Sequence, residues 1–325
     1  MDKSVKKSEY QHSLERARSG EMLPVCVCVR LTRICDIACD YCSEIRDLGE
    51  DMKFGEWREA VNIIYDLGNS DLTITGGEPL LVEFLAELIK VASPKGMYVS
   101  LASNGNLLTP ERLAKLSNAG LDFLSLSIDR IVIDGPAFGK DLTPSLASNL
   151  DYISSENFGF ETVVSTVITE RNFRQLSEMV GYFSDLGIYH KFMLLMPNYP
   201  SPDKTRGLGV IDINGFEEVV GKLKEQKRKG FLVMDSDHVL DNMVRYLRGG
   251  FTFNCRGGIY ELSVNNDGKL VLCPDGTLTD TTIFQLEHPN GYSDFLRQHA
   301  SKASECEGCF WTCKQRLHDN TRYMT

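Results

Sequence analysis

The chain has 325 residues, with 45 acidic against 35 basic side chains, a formal net charge of -10 and an apolar fraction of 42%. That length supports a full hydrophobic core without disulfide staples, and the acidic balance excludes a protein built to track a nucleic-acid backbone, which needs clustered positive charge. No stretch approaches the roughly 20 apolar residues of a membrane span, and many unstapled cysteines imply a reducing, cytoplasmic compartment.

Residues 1–21 are polar and too short for a domain, so they form either a mobile arm or a single helix laid on the body. The run 24–31 alternates: Val25, Val27, Val29 and Leu31 share one face of a strand, and Cys26, Cys28 and Arg30 the other. Cys26 and Cys28 read as small core residues. The loop that follows carries Cys35, Cys39 and Cys42 within eight positions. Three thiolates are one short of a closed tetrahedral site, and the next histidine is His190. An iron–sulfur cluster held by three thiolates keeps one iron open for a ligand.

Helical and strand patterns then alternate: helix 54–67, strand 71–75, helix 80–92, strand 97–102, helix 110–118, strand 122–128, helix 143–155, strand 161–168, helix 172–185, strand 190–196 and helix 213–228. This order predicts a parallel sheet covered by helices, with active residues at the C-terminal strand ends. Gly76 and Gly77 lack side chains, so their backbone can approach a ligand and offer its polar groups, and Glu78 adds a carboxylate suited to an ammonium group. Ser103, Asn104 and Gly105 end the third strand, and Ser125, Ser127 and Asp129 line one face of the fourth. His190 and Lys191 begin the sixth strand, at the end away from the chemistry, and read as structural. The basic run 222–230 lies on a helix and reads as a solvated face.

The combination of Cys35-x3-Cys39-x2-Cys42, Tyr41 before the last cysteine, and Gly76-Gly77-Glu78-Pro79 resembles the radical S-adenosylmethionine (SAM) superfamily. The resemblance covers residues 22–230 and implies a partial (βα)6 TIM-like barrel, an α/β fold. It implies a [4Fe-4S] cluster on Cys35, Cys39 and Cys42 whose open iron is chelated by S-adenosyl-L-methionine, with Gly76, Gly77 and Glu78 beside the methionine amine. Tyr41 approaches the adenine through its backbone, Ser103 and Asn104 continue the cofactor site, and Ser127 and Asp129 lie near the ribose or methionine part. Reductive cleavage, fed by an external one-electron donor such as flavodoxin or ferredoxin, yields a 5′-deoxyadenosyl radical that abstracts a substrate hydrogen.

Residues 231–325 carry a second cysteine series. Residues 231–250 read as a short strand and a helix, and 259–274 as a hairpin turning at Asn266-Asp267-Gly268. Cys255, Cys273, Cys306, Cys309 and Cys313 suit a structural zinc site by spacing alone. In family context they resemble the twitch or trimmed SPASM extension, a small α+β auxiliary-cluster domain. That resemblance implies one further [4Fe-4S] cluster on Cys255, Cys273 and two of Cys306, Cys309 and Cys313. The spare thiol, with Cys313 as the candidate, could return a hydrogen atom to a substrate radical.

A 21-residue arm cannot fold as a leader-recognition domain, which favours a small polar metabolite (a sugar, aminocyclitol or nucleoside) over a peptide. The favoured reaction is oxidation of a hydroxyl-bearing carbon through the auxiliary cluster. Its alternatives are a redox-neutral epimerisation or carbon-skeleton change, or peptide modification.

Overall fold

A computed structural model describes residues 3–21, 23–42, 50–131, 139–195, 207–250, 261–272, 278–288, 290–304 and 310. Six strands, β1 (Cys26–Arg30), β2 (Asp71–Thr75), β3 (Tyr98–Ser103), β4 (Phe123–Ser127), β5 (Glu161–Ile168) and β6 (Tyr189–Leu194), pair in chain order, each parallel to the next. The helices between them are α2 (Phe54–Asp66), α3 (Leu85–Ala92), α4 (Pro110–Ala119), α5 (Pro144–Ser155) and α6 (Leu176–Asp185), after α1 (Lys3–Arg18). The result is the expected partial barrel. Val27, Val29, Leu72, Ile74, Val99, Leu101, Leu124 and Leu126 point at the helices and form one continuous core. The alternate positions face inward, because side chains alternate along a strand.

Helix starts follow local chemistry. Thr109 and Thr143 accept the amides of Arg112 and Leu146 ahead of Pro110 and Pro144, the N-cap and first-turn proline arrangement that pre-sets a helix. Two expected helices are shorter than their apolar periodicity suggests. The segment 80–92 splits into a 3-10 turn, Pro79–Leu81, and α3, because the Glu78 carboxylate accepts the Leu80 amide and closes a tight turn there. The segment 172–185 opens with a 3-10 turn, Phe173–Gln175, before α6.

Of the two readings of the N-terminal arm, the structure shows the docked helix. On α1, Lys6, Tyr10, Ser13, Leu14 and Ala17 are buried, and Lys6 Nζ lies 2.7 Å from Asp122 Oδ2 beside the start of β4. The helix thus covers the N-terminal end of the sheet.

Beyond β6 come α7 (Ile213–Arg228) and α8 (Asp237–Leu247). Residues 231–236 form no strand, only a bridge between His190 and Val233. The expected hairpin is present as β7 (Glu261–Val264) and β8 (Lys269–Val271), turning through Gly268 at φ 80°, a left-handed conformation that favours glycine. β9 (Leu278–Thr282) follows, and α9 (Gly291–Ser304) is the last described helix. Sequence reading missed the hairpin's placement. β7 pairs parallel with β1, so one nine-stranded sheet runs β6-β5-β4-β3-β2-β1-β7-β8-β9.

Candidate functional site

The cysteine loop leaves the C-terminal end of β1 and is stitched to the next loop by backbone. Gly77 donates its amide to Thr32 O at 2.7 Å and Glu78 to Ile34 O at 2.8 Å. A Cβ on Gly76 would stand 2.4 Å from Thr32 O, and one on Gly77 2.1 Å from Ile34 O. Gly76 also adopts φ 128°. These glycines were expected to bring backbone to a ligand. They also come close to the chain's own cysteine loop, which takes the amides of residues 77 and 78.

Glu78 is fully buried. Its Oε1 accepts Leu80 N at 3.0 Å and Ser103 Oγ at 2.8 Å, and its Oε2 accepts Asn104 N at 2.8 Å. Burial raises its pKa against these hydrogen bonds. The carboxylate therefore ties the ends of β2 and β3 together. Asn104, so positioned, donates to Asp36 Oδ1 at 2.7 Å and reaches Cys35 Sγ at 3.9 Å.

A second buried carboxylate holds the other side. Tyr41 donates its hydroxyl to Asp129 Oδ2, which also accepts the Lys140 amide at 3.1 Å, while Asp129 Oδ1 accepts Val167 N at 2.9 Å. Burial raises the pKa of Asp129 despite the nearby Lys140 ammonium, and burial together with the Asp129 charge holds the Tyr41 phenol well above its ordinary value. Gly139 fits because a Cβ there would meet Asp129 Oδ2 at 2.7 Å. Ser127 stands two residues before Asp129, in register with Ser165.

Cys39 is buried, and Cys35 and Cys42 are half-buried. Burial pushes the Cys39 thiol up to about 12 and the Cys35 thiol upward, and each thiol lies within electrostatic reach of the others. Burial lowers the pKa of Lys140, but Asp129 and the facing cysteines outweigh it, for a net rise. Sequence reading missed Lys140 and Asp36. Asp36 could have been found, since it adjoins Cys35; Lys140 has no spacing signal and is brought in by tertiary structure.

The remaining candidates fall elsewhere. Cys26 is buried with its thiol 3.5 Å from Asp71 Oδ1, as a core residue should be, but Cys28 is half-buried on the concave face. His190 is buried among Phe183 and Phe192, and Lys191 places its ammonium 5.5 Å from the Phe123 ring centroid. Cys255, Cys273, Cys306, Cys309 and Cys313 lie outside the described residues. A cavity of about 520 Å³ opens at the opposite end of the barrel, lined by Phe123, Phe158, Phe160, Tyr189 and Met234, and no described thiol lines it.

Residues 29–132, from β1 past Asp129, match the family model described as the radical SAM superfamily. The chain carries a radical SAM domain. The chain is 33% identical across 124 residues to PqqA peptide cyclase of Bradyrhizobium diazoefficiens, covering 36% of this chain and 33% of that protein. It is 36% identical across 111 residues to PqqA peptide cyclase of Rhizobium meliloti, covering 33% and 30%. The chain thus spans about a third of the length of the curated relatives it matches. Among solved structures, Streptococcus suis SuiB bound to precursor peptide SuiA superposes with a TM-score of 0.66 at 14% identity, over 89% of this chain and 70% of that one. BtrN in complex with AdoMet and 2-DOIA gives 0.50 at 14%, over 89% and 94%. At these identities the structures bear on the fold alone. Among the described residues no helix is long and apolar enough to cross a membrane.

Proposed function

We propose that this chain is a radical SAM enzyme that abstracts a hydrogen atom from a peptide. The observation that carries the radical SAM part is the cysteine loop, clamped on the Cys35 side by Gly76, Gly77 and Glu78 and on the Cys39 and Cys42 side by Tyr41 and Asp129. The donor set fits a [4Fe-4S] cluster. Three thiols near one another are what cluster assembly requires, and among the described residues no three acidic, histidine or cysteine groups gather tightly enough for a single metal ion. Cys35, Cys39 and Cys42 would hold it. With S-adenosylmethionine bound, the cluster supplies a carbon radical able to take hydrogen from an unactivated C–H bond.

The chain's own residues supply position and dryness. Glu78 fixes the rim formed by Ser103 and Asn104, Asp129 anchors Tyr41, and Lys140 provides a cation beside the thiols that suits an anionic group of the cofactor. Ser127 lines the wall below. Excluding water from this rim protects a radical from being quenched before it meets its substrate.

The substrate is where the first expectation changes. A small polar metabolite was the expectation, but the relatives named above are peptide cyclases, and this supports peptide modification. Oxidation at a hydroxyl-bearing carbon has no comparable support. An auxiliary cluster on Cys255, Cys273 and two of Cys306, Cys309 and Cys313 is part of the proposal, as is an external one-electron donor.

Anaerobic reconstitution tests the reading. The protein should take up about eight irons, and replacing Cys35, Cys39 and Cys42 together by alanine should leave about four and abolish reductive cleavage of S-adenosylmethionine. Cleavage that persists in the triple variant overturns the assignment. Uptake of about four irons by the unsubstituted chain removes the auxiliary cluster alone.

A further inference from the structure

The cavity at the N-terminal end of the barrel lies apart from the cysteine loop and its supports. It opens where β4, β5 and β6 begin, at Phe123, Glu161 and Tyr189, and holds about 520 Å³. Its floor belongs to a small apolar cluster, separate from the main core, in which Tyr98, Phe123, Val163 and Met234 are buried and Tyr189 packs half-buried against them. Its walls are the loop from α5 to β5 and the loop from α6 to β6. Ser117 on α4 donates its hydroxyl to Phe158 O, and Ser154 on α5 donates its own to Leu186 O at 2.7 Å, so each loop is pinned to a helix. The cavity is therefore formed before anything enters it, as ligand pockets usually are.

The lining has a definite chemistry. Phe158 and Phe160 stay half-exposed, with their rings stacked 5.4 Å apart at 9°, and Tyr152 stands edge-on to Phe158 at 5.6 Å. Aromatic faces attract cations as well as apolar groups, and Phe123 in the floor has the Lys191 ammonium 5.5 Å from its centroid. The charged residues that line the cavity have one sign: Glu156, Glu161 and Asp185 are there, and no lysine or arginine is. Glu161 takes Lys7 of α1 at 2.9 Å. Glu156 and Asp185 are exposed and form no ion pair among the described residues. Apolar walls beneath an acidic rim repel an anion and select an apolar group that carries a cation beside it.

We propose that this cavity anchors a basic, apolar segment of the peptide substrate. An aliphatic or aromatic side chain enters between Phe123 and Phe158, and a neighbouring lysine or arginine meets Glu156 and Asp185 at the rim. It deepens the function proposed above and rests on its reading of the substrate as a peptide. β5 has eight residues, which at about 3.3 Å each set the two ends of the barrel about 26 Å apart. An extended chain covers at most about 3.6 Å per residue, so the anchor lies at least about eight residues from the residue that reacts.

Saturation-transfer NMR on the full chain, reconstituted anaerobically and kept without reductant, tests the site. Three capped peptides are compared, acetyl-Lys-Leu-Phe-Lys-amide, acetyl-Gln-Leu-Phe-Gln-amide and acetyl-Glu-Leu-Phe-Glu-amide, together with phenethylammonium as a small amine. The basic peptide should bind at least about fivefold more tightly than the neutral one, and the acidic one should bind weakest. The double variant Glu156→Gln with Asp185→Asn should erase most of that preference, as should 0.5 M salt. Phe160→Ala should weaken the basic and neutral peptides alike, by about fivefold or more, while S-adenosylmethionine titrates within about twofold of the unsubstituted protein. Both carboxylates of the double variant are exposed, so it keeps the test available should Phe160→Ala fail to fold. Equal binding of the three peptides overturns the proposal, and so does a basic preference that survives the double variant. Phenethylammonium binding as tightly as the basic peptide gives the cavity to a small amine, and a dimer that Phe160→Ala abolishes gives it to a second copy of this chain; either result overturns the peptide anchor. Cleavage of S-adenosylmethionine without any basic preference defeats the anchor alone. Basic preference in a chain that never cleaves S-adenosylmethionine defeats the radical reading and leaves the anchor standing.

Discussion

At the N-terminal end of the barrel, Asp122 is buried against a buried cation: Lys6 on α1 lies 2.7 Å away and also reaches Ser93 Oγ at 3.0 Å. At the C-terminal end, Glu78 and Asp129 are buried as completely, yet the direct donors to their carboxylates are backbone amides and the hydroxyls of Ser103 and Tyr41. The energetics differ accordingly. A carboxylate matched by an ammonium is charge-balanced and serves as a seal, whereas one matched mainly by dipoles keeps a raised pKa and leaves negative potential where a cation can be bound. The acids at the closed end hold a helix in place; those at the open end hold a loop in a shape.

The largest expected effect breaks the open end. Gly77→Ala forces a Cβ to within 2.1 Å of Ile34 O, so the cysteine loop must move off β2. Iron bound at Cys35, Cys39 and Cys42 should fall from about four per chain to below one, read by iron analysis of a chain lacking Cys255, Cys273, Cys306, Cys309 and Cys313. Retention of all four would show that the loop is not held by this contact.

Lys6→Met breaks the closed end instead. It strands the Asp122 charge in the interior, for a cost of about 3–5 kcal/mol in urea unfolding of the metal-free protein, and the double variant with Asp122→Asn should recover much of it. Iron uptake should be unchanged in both. A single variant as stable as the parent would mean that the pair contributes nothing to the seal.

Tyr41→Phe sharpens the contrast by removing one donor from Asp129. The loss of a hydrogen bond to a charged group costs roughly 1.5–3 kcal/mol, and oxidative loss of iron should quicken while α1 stays docked. Equal iron-loss kinetics in the two proteins would free Asp129 from any part in holding the loop.

His190, near the start of β6, adds a pH-dependent contrast. Thr166 Oγ1 donates to Ile128 O, so it must accept from His190 Nε2 at 2.8 Å, and the buried Nδ1 has no partner among the described residues. Burial therefore pushes the imidazole down to about 3 from 6.5. The unfolded chain then binds a proton that the native chain refuses between those pH values. Stability is complete above about pH 6.5 and declines as pH falls toward 3, with a slope of up to about 1.4 kcal/mol per pH unit. His190→Gln should be less stable at pH 7 and flatter below 6.5 in urea titrations across pH. An unaltered slope would place the acid sensitivity in another group.

The order of parallel strands and helices was legible in the sequence because alternation along a strand and helical periodicity are local properties, written into consecutive residues. Cys35, Cys39 and Cys42 were legible for the same reason: one loop carries all three. Gly76 and Gly77 were singled out correctly but for an incomplete reason, since a missing side chain shows that something comes close and not what. Only the tertiary structure decided that the approaching group is the carbonyl of Thr32 or Ile34, that Glu78 is spent on Ser103 and Asn104, and that β7 lies beside β1. These contacts join residues tens to hundreds of positions apart, and no local periodicity encodes which of them will meet. Arg30 and Asn265, 235 positions apart, are the extreme case. Each is an ordinary polar residue in its own segment, and they become a pair because a hairpin from the C-terminal region completes the edge of the sheet that β1 begins.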